Sequence, residues 1–289
     1  MKAAVPQGPL TSAAELASRL DDRKLRIVDC RFELMAPDAG RRAYVEGHIP
    51  GAVYADLDKD LSGPVEAGSG RHPLPDTADA EATFSRLGID AGIDVVCYDA
   101  AGGAIASRAW WLLRWLGHTR VTVLDGGLQA WLARDLPLEA GEQEVAHRQF
   151  RGVANPSLVL TSQEIVATLD TSVGCLLVDA RDDARFRGEV EPIDTRAGHI
   201  PGTSNLPYAA CLKDDGSWLD APALRRLLEP LLGNDQSVSW SVMCGSGVTA
   251  CHLAISGLLA GYSEPRVYVG SWSEWIRDPS RPIGSGPAI

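Results

Sequence analysis

Apolar and polar positions along this chain fall into two rhythms that alternate. Short apolar, often β-branched runs give way to stretches in which apolar residues recur at helical spacing. In the first half, Thr11-Ser12-Ala13-Ala14-Glu15 supplies a polar cap before helix-period positions and predicts a helix from Thr11 to Leu20. A strand follows at Leu25 to Asp29, then a turn at Gly47-His48-Ile49-Pro50-Gly51 and a short strand at Ala52 to Ala55. Beyond it the pattern predicts a helix around Asp79 to Leu87 and a buried strand Asp94 to Tyr98. A long helix Ala106 to Leu116, a strand Arg120 to Leu124 and a helix Leu128 to Ala133 complete the round. The second half predicts helix Ser162 to Leu169, strands Leu176 to Asp179 and Ser204 to Leu206, and helix Ala221 to Leu232. Strand Val238 to Met243, helix Thr249 to Leu259, strand Arg266 to Tyr268 and helix Ser273 to Ile276 follow. Strands alternating with helices imply an α/β fold, each half a parallel sheet with helices on both faces.

The two rounds are copies. Ile27-Val28-Asp29-Cys30-Arg31 returns as Leu177-Val178-Asp179-Ala180-Arg181, and Gly47-His48-Ile49-Pro50-Gly51-Ala52 as Gly198-His199-Ile200-Pro201-Gly202-Thr203. Val95-Val96-Cys97-Tyr98-Asp99 aligns with the strand leading into Cys244. The run from Gly117 to Trp131 aligns with that from Gly261 to Trp275. Landmarks kept in one order mark a tandem repeat. Gly141 to Pro156 is polar, lacks either period and contains Asn155-Pro156, so it reads as a linker between domains at 1–140 and 157–289. The tail from Asp278 to Ile289, rich in Pro, Gly and Ser, is expected to be loose.

Length and charge narrow the partners. At 289 residues two domains are the natural expectation, and a net charge of −11 argues against a nucleic-acid partner. It does not exclude an anionic small-molecule substrate, which a few local arginines can hold. No run of about 18 apolar residues exists to span a membrane. Met1-Lys2-Ala3-Ala4-Val5-Pro6 lacks a signal peptide's apolar region, so a cytoplasmic location is expected. The cysteines are Cys30, Cys97, Cys175, Cys211, Cys244 and Cys251; none forms a Cys-x-x-Cys pair, so zinc and dithiol readings have no support.

The chemistry centres on Val238-Ser239-Trp240-Ser241-Val242-Met243-Cys244-Gly245-Ser246-Gly247-Val248-Thr249-Ala250. A buried strand ends in a cysteine, glycines let the loop curl, and a helix begins near Thr249. Curling turns backbone N–H groups inward, and the helix N-terminus adds partial positive charge at the same point. A thiolate is the species such dipoles favour. An isolated buried cysteine most often only packs; the strand, Gly-x-Gly loop and helix around this one argue for a nucleophile. Cys-Gly-Ser-Gly-Val-Thr-Ala resembles the active-site loop of the rhodanese-type sulfurtransferases, in their 3-mercaptopyruvate version. That family's layout is two tandem domains with the catalytic cysteine only in the second. The matching first-half loop, Tyr98-Asp99-Ala100-Ala101-Gly102-Gly103-Ala104, has Asp99 at its head, and aspartate cannot carry a sulfane sulfur. The first domain is therefore expected to be catalytically silent and to wall the cleft, with Cys97 in its core.

The resemblance implies further site residues. An arginine in the insert between Asp179 and His199, read from composition as a loop, and another just before Gly-His-Ile-Pro-Gly would bind the substrate carboxylate and keto oxygen. Arg185 and Arg196 match, with Arg187 a rival to Arg185. Ser246, His72 and Asp58 match a protease-like relay, with Asp56 an alternative acidic member; alone, His72 would pass for a surface-loop histidine. Gly245, Gly247, Val248 and Thr249 would supply loop N–H groups, Thr249 also capping the helix. His48 and His199, present in both the active and the silent half, read as structural. Cys251 reads as a packed thiol, Trp110, Trp111 and Trp115 as buried helix faces, and Trp272 as a candidate to line the cleft. The implied activity passes a sulfane sulfur from 3-mercaptopyruvate through a Cys244 persulfide to cyanide, a small thiol or thioredoxin, with no metal or organic cofactor. The alternative donor is thiosulfate, but enzymes preferring it typically carry basic residues after the cysteine, where Gly245 and Ser246 stand. A phosphatase needs Cys-x5-Arg, and the sixth residue after Cys244 is Ala250. A non-enzymatic sulfur carrier is compatible with the silent half and opposed by the Cys244 loop.

Overall fold

A computed structural model describes residues 8–169 and 176–287; Cys175 and the expected N-terminal segment Met1 to Pro6 lie outside them. The chain forms two compact units. The first comprises Met1–Gly63, Pro75–Asn155 and Leu212–Trp218, and the second Pro64–Leu74, Pro156–Cys211 and Leu219–Ile289. A short arm of the first half thus belongs to the second unit, and a short arm of the second half to the first.

In the first unit the order is β1 (Leu10–Thr11), α1 (Ala13–Ala17), β2 (Leu25–Asp29), α2 (Ala39–Glu46), β3 (Ala52–Tyr54), α3 (Thr77–Arg86), β4 (Asp94–Tyr98), α4 (Ala106–Trp115), β5 (Val121–Leu124) and α5 (Gly127–Leu132). The second unit repeats it with β6 (Val159–Leu160), α6 (Ser162–Thr168), β7 (Leu177–Asp179), α7 (Asp183–Phe186), β8 (Ser204–Asn205), α8 (Ala221–Leu232), β9 (Ser241–Met243), α9 (Thr249–Leu259), β10 (Arg266–Tyr268) and α10 (Ser271–Trp275). Each sheet is parallel and five-stranded, ordered β1-β5-β4-β2-β3 and β6-β10-β9-β7-β8, so equivalent strands hold equivalent places. The central strands, β4 as Asp-Val-Val-Cys-Tyr and β9 as Ser-Val-Met, are buried throughout, as strands covered on both faces must be.

Local chemistry is duplicated to the atom. Ser12 with Glu15 and Thr161 with Glu164 form capping boxes that start α1 and α6; α1 begins two residues later than the Thr11 start read from the apolar period, and α6 at the Ser162 read for it. Arg31 forks onto Asp29 and donates to the Gly47 carbonyl at 2.7 Å; Arg181 forks onto Asp179 and donates to the Gly198 carbonyl at 2.8 Å. His48 and His199 use Nδ1 on the Tyr44 and Phe186 carbonyls and stack on those two rings, which makes both histidines braces of the Gly-His-Ile-Pro-Gly turn. Trp131 and Trp275 each donate from the indole to a following proline carbonyl.

Several expectations are corrected. The insert between Asp179 and His199 contains the helix α7, short enough that its polar composition hides it. Helix α2 was not legible as one, because Ala-Gly-Arg-Arg-Ala-Tyr-Val-Glu buries only Gly40 and Tyr44. The tail is tied down rather than loose as far as Gly286. Gly284 exchanges backbone hydrogen bonds with His199, Gly286 donates to the Arg187 carbonyl, and Pro282 accepts from Trp275. Trp272 is fully buried in the second core with Met243, Tyr268 and Trp275, so it does not line a cleft. Cys97 lies fully buried in β4.

Candidate active site

Cys244 follows directly on β9, whose register pairs Met243 with Asp179 just as Tyr98 pairs with Asp29 in the first unit. The residue is 2 % exposed. Three contacts fix the backbone there. The Cys244 N–H donates to Ser271 Oγ at 3.0 Å, the Cys244 carbonyl accepts from Trp272 N–H at 3.0 Å, and the Gly245 carbonyl accepts from Ser273 N–H at 2.9 Å. Ser271 holds a left-handed backbone, φ +54°, where its first-unit counterpart is Gly127, φ +56°. A serine tolerates that strain here because its hydroxyl bridges the nucleophile's N–H to the Tyr268 carbonyl at 2.8 Å. Gly247 is obligatory in a second way: at φ +74° a Cβ would stand 2.3 Å from the Val269 carbonyl oxygen.

Asp99 shows what this loop is built to do. It heads the equivalent loop, and its carboxylate accepts four backbone N–H groups. Oδ1 takes those of Ala101 and Gly103 at 2.8 and 2.9 Å, and Oδ2 those of Ile105 and Ala106 at 2.7 and 2.8 Å. The loop is an anion cradle, and the first unit fills it with its own side chain. In the second unit a cysteine heads the loop, and the N–H groups of Gly245, Ser246, Val248 and Thr249 have no acceptor among the described residues. Helix α9 starts at Thr249 with Val248 in the cap position and no side-chain cap bond. Thr249 is therefore the first helical residue and not the cap read from the sequence.

Around the loop the second unit gathers charged and proton-bearing groups. His72 Nδ1 and Ser246 Oγ are 2.8 Å apart, joining residues 174 positions distant in the chain. Arg185, its side chain 12 % exposed, forks onto Glu191 at 2.8–3.2 Å and reaches Asp194 at 3.2 Å. Its two terminal nitrogens lie 3.7 Å from where a Cβ on Gly245 would be. Burial pulls the Glu191 carboxyl upward, but Arg185 and the N–H groups of Asp194 and Ile193 outweigh it and hold it below the ordinary range. Arg187 instead points outward and pairs with Glu189 at 2.8 Å, so the geometry sets Arg185 and not its rival beside the loop. Arg196 is exposed; its carbonyl accepts from the Trp272 indole at 2.9 Å, two hydrogen bonds from Cys244. Asp58 lies in the first unit, where burial, then the charge of Asp56, raises its carboxyl. Asp56 is committed to its own turn: Oδ1 accepts from the N–H groups of Asp58 and Lys59 at 3.0 and 3.2 Å.

Three contributors went unread in the sequence. Arg71, beside His72, sends one terminal nitrogen to within 3.1 Å of the Gly245 Cβ position. Arg181 was legible only as a repeat landmark. It stacks on Trp272 at 4.6 Å; burial would lower its guanidinium, but Asp179, then Glu191 and the neighbouring Cys244, raise it above the ordinary value. Ser271 could have been found by aligning the halves, since it replaces a glycine at a left-handed position. Among the described residues no cluster of His, Cys, Asp and Glu could hold a metal ion, and no helix is long and apolar enough to cross a membrane.

Comparison with known proteins agrees with this architecture. The family model of the Rhodanese-like domain matches residues 12–134 and again 162–278. The chain is 47% identical over 279 residues to a protein of Pseudomonas aeruginosa named probable 3-mercaptopyruvate sulfurtransferase, covering 96% of this chain and 98% of the relative. It is 42% identical over 287 residues, with the same coverage, to the putative thiosulfate sulfurtransferase SseB of Mycobacterium tuberculosis. The solved structure of 3-mercaptopyruvate sulfurtransferase from Leishmania major superposes with a TM-score of 0.82 at 33% identity, covering 93% of this chain and 74% of that one. With two copies of the domain in tandem and the cysteine loop in the second, the chain belongs to the rhodanese family of sulfurtransferases.

Proposed function

We propose that the enzyme moves a sulfane sulfur from 3-mercaptopyruvate through a persulfide on Cys244 to cyanide or a thiol acceptor such as thioredoxin, releasing pyruvate. The Cys244 thiolate attacks the donor's thiol sulfur, the S–S bond forms, and the carbon–sulfur electron pair leaves as the enolate of pyruvate. Arg185 and Arg196 hold the carboxylate and keto oxygen. A proton delivered through Ser246 and His72 converts the enolate to pyruvate, with Asp58 the acidic member as the family pattern gives it. Loop N–H groups from Gly245, Gly247, Val248 and Thr249 stabilise the persulfide anion, which the acceptor then attacks.

The observation that carries this choice of donor is the 2.8 Å hydrogen bond between His72 and Ser246. The enolate must take up a proton to become pyruvate, whereas sulfite leaving from thiosulfate is a stable anion needing no proton. A histidine bonded to the serine of the nucleophile loop suits the first reaction and is idle in the second. The thiosulfate reading is supported by Arg71, a cation that the loop's own sequence does not disclose.

The test is thiocyanate formation from cyanide with both donors side by side, using Cys244→Ser as the blank. Mercaptopyruvate should be the better donor, and His72→Gln and Ser246→Ala should cut its turnover by about 10²–10⁴-fold while affecting thiosulfate far less. A wild-type preference for thiosulfate, or equal losses on both donors, would overturn the proposal.

A further inference from the structure

Arg71 belongs to the arm Pro64–Leu74 and is held against the nucleophile loop from several sides. Its N–H donates to Ser273 Oγ at 3.0 Å, the same residue whose N–H binds the Gly245 carbonyl. The preceding Gly70 packs so tightly that a Cβ there would fall 2.5 Å from the Gly270 carbonyl oxygen, so the arm cannot shift without moving the start of α10. The side chain is three-quarters covered. Nη1 pairs with Asp194, a buried carboxylate whose other oxygen accepts from Arg185 at 3.2 Å. Nη2 lies 3.1 Å from the Gly245 Cβ position, and Nε is buried with no hydrogen-bond partner among the described residues. One prong is engaged, and donors are left over beside the residue that follows the nucleophile.

We propose that Arg71 is a donor-binding residue that sets the enzyme's specificity. It supplies from another part of the chain the positive charge that Gly245 and Ser246 lack, and so governs how well the site takes a donor with a dianionic leaving group. Gly245 is its complement, since a Cβ there would stand 3.1 Å from Nη2 and press on the guanidinium. Asp194 is the counterweight, bridging Arg71 and Arg185 and opposing a second anion between them.

With thiosulfate, the Cys244 thiolate attacks the outer sulfur. The new S–S bond forms on Cys244, the old one breaks, and its electron pair departs on sulfite, three negative charges standing on each side of the step. Sulfite carries two of them on three oxygens, which a guanidinium with N–H groups to spare matches better than the uncharged Gly245 and Ser246 do. The inference rests on the sulfurtransferase assignment and not on the choice of mercaptopyruvate as main donor.

The experiment is steady-state thiocyanate formation with thiosulfate and with 3-mercaptopyruvate for the full chain, Arg71→Gln, Arg71→Lys and Asp194→Asn. Arg71→Gln should lower the thiosulfate-to-mercaptopyruvate ratio of kcat/KM by about tenfold or more, chiefly by raising KM for thiosulfate, as loss of a charge-assisted contact requires. Arg71→Lys should recover part of that ratio, and Asp194→Asn should lower KM for thiosulfate. An unchanged ratio in Arg71→Gln, or no thiosulfate turnover by wild type above the Cys244→Ser blank, would overturn the proposal. A wild type active on thiosulfate and silent on mercaptopyruvate, with the KM effect of Arg71→Gln intact, would support it while sinking the mercaptopyruvate reading.

Discussion

Replacing Asp99 by asparagine tests whether the first-unit loop is an anion cradle filled by its own carboxylate. The change is nearly isosteric, so the loop is neither crowded nor emptied. An amide offers one oxygen where the carboxylate offers two. Whichever way it turns, two of the four N–H groups lose their acceptor and face an NH2: those of Ala101 and Gly103, or those of Ile105 and Ala106. Hydrogen bonds to a charged group contribute about 1.5–3 kcal/mol each, and Asp99 is 1 % exposed, so water cannot readily replace them. The expected loss is about 3–6 kcal/mol, falling toward about 2 kcal/mol if the loop relaxes. Guanidinium unfolding followed by tryptophan fluorescence reads it, since Trp110, Trp111, Trp115, Trp131 and Trp218 lie in the first unit. The two units need not unfold together, so hydrogen exchange at the four cradle amides supplies the local readout. Asp99→Ala leaves all four donors unpaired, and sulfate should then stabilise that variant more than wild type. A loss below about 1 kcal/mol with unchanged exchange at those amides would refute the cradle argument, since two buried bonds to a charge cannot be removed so lightly.

Other outcomes follow from the same geometry. Arg185→Lys loses the planar fork and should lower mercaptopyruvate kcat/KM by about tenfold to a hundredfold, while Arg187→Lys, on an arginine paired outward with Glu189, should change it less than about twofold. Gly247→Ala meets the Val269 carbonyl at 2.3 Å in a left-handed backbone, so activity should be lost with about 2 kcal/mol or more of stability; Gly245→Ala meets only the movable end of Arg71 and should stay folded, which denaturant midpoints of the two variants would check. Arg266, then the Thr161 hydroxyl and N–H, depress the Glu164 carboxyl from 4.5 to about 2. A depressed acid contributes stability that is complete above its unfolded value and lost as pH falls through its folded one. The gap in unfolding midpoint between wild type and Glu164→Gln should therefore close between pH 4.5 and about 2; a gap that persists at the acid end would exclude the ion pair and cap as its source.

The periodicity of the chain determined a good deal without coordinates. Strands β2, β4 and β10 and helices α8 and α9 have the limits that their apolar patterns predict, because a doubly covered strand and an amphipathic helix are local properties. The tandem copy is likewise written in order, and it predicts that Asp99 and Cys244 head equivalent loops, as the sheet registers show. Helices α2 and α7 escaped because brief, polar segments carry no period. What only the tertiary structure decided is which distant residues meet. Nothing near His72 or Arg71 says that an arm of the first half joins the second unit, where one reaches Ser246 and the other Gly245. The absence of positive charge after Cys244 is true of the loop, yet Arg71 reaches the Gly245 position from more than 170 residues away. Local patterns encode local conformation; a site assembled across that distance is encoded only in how whole elements pack.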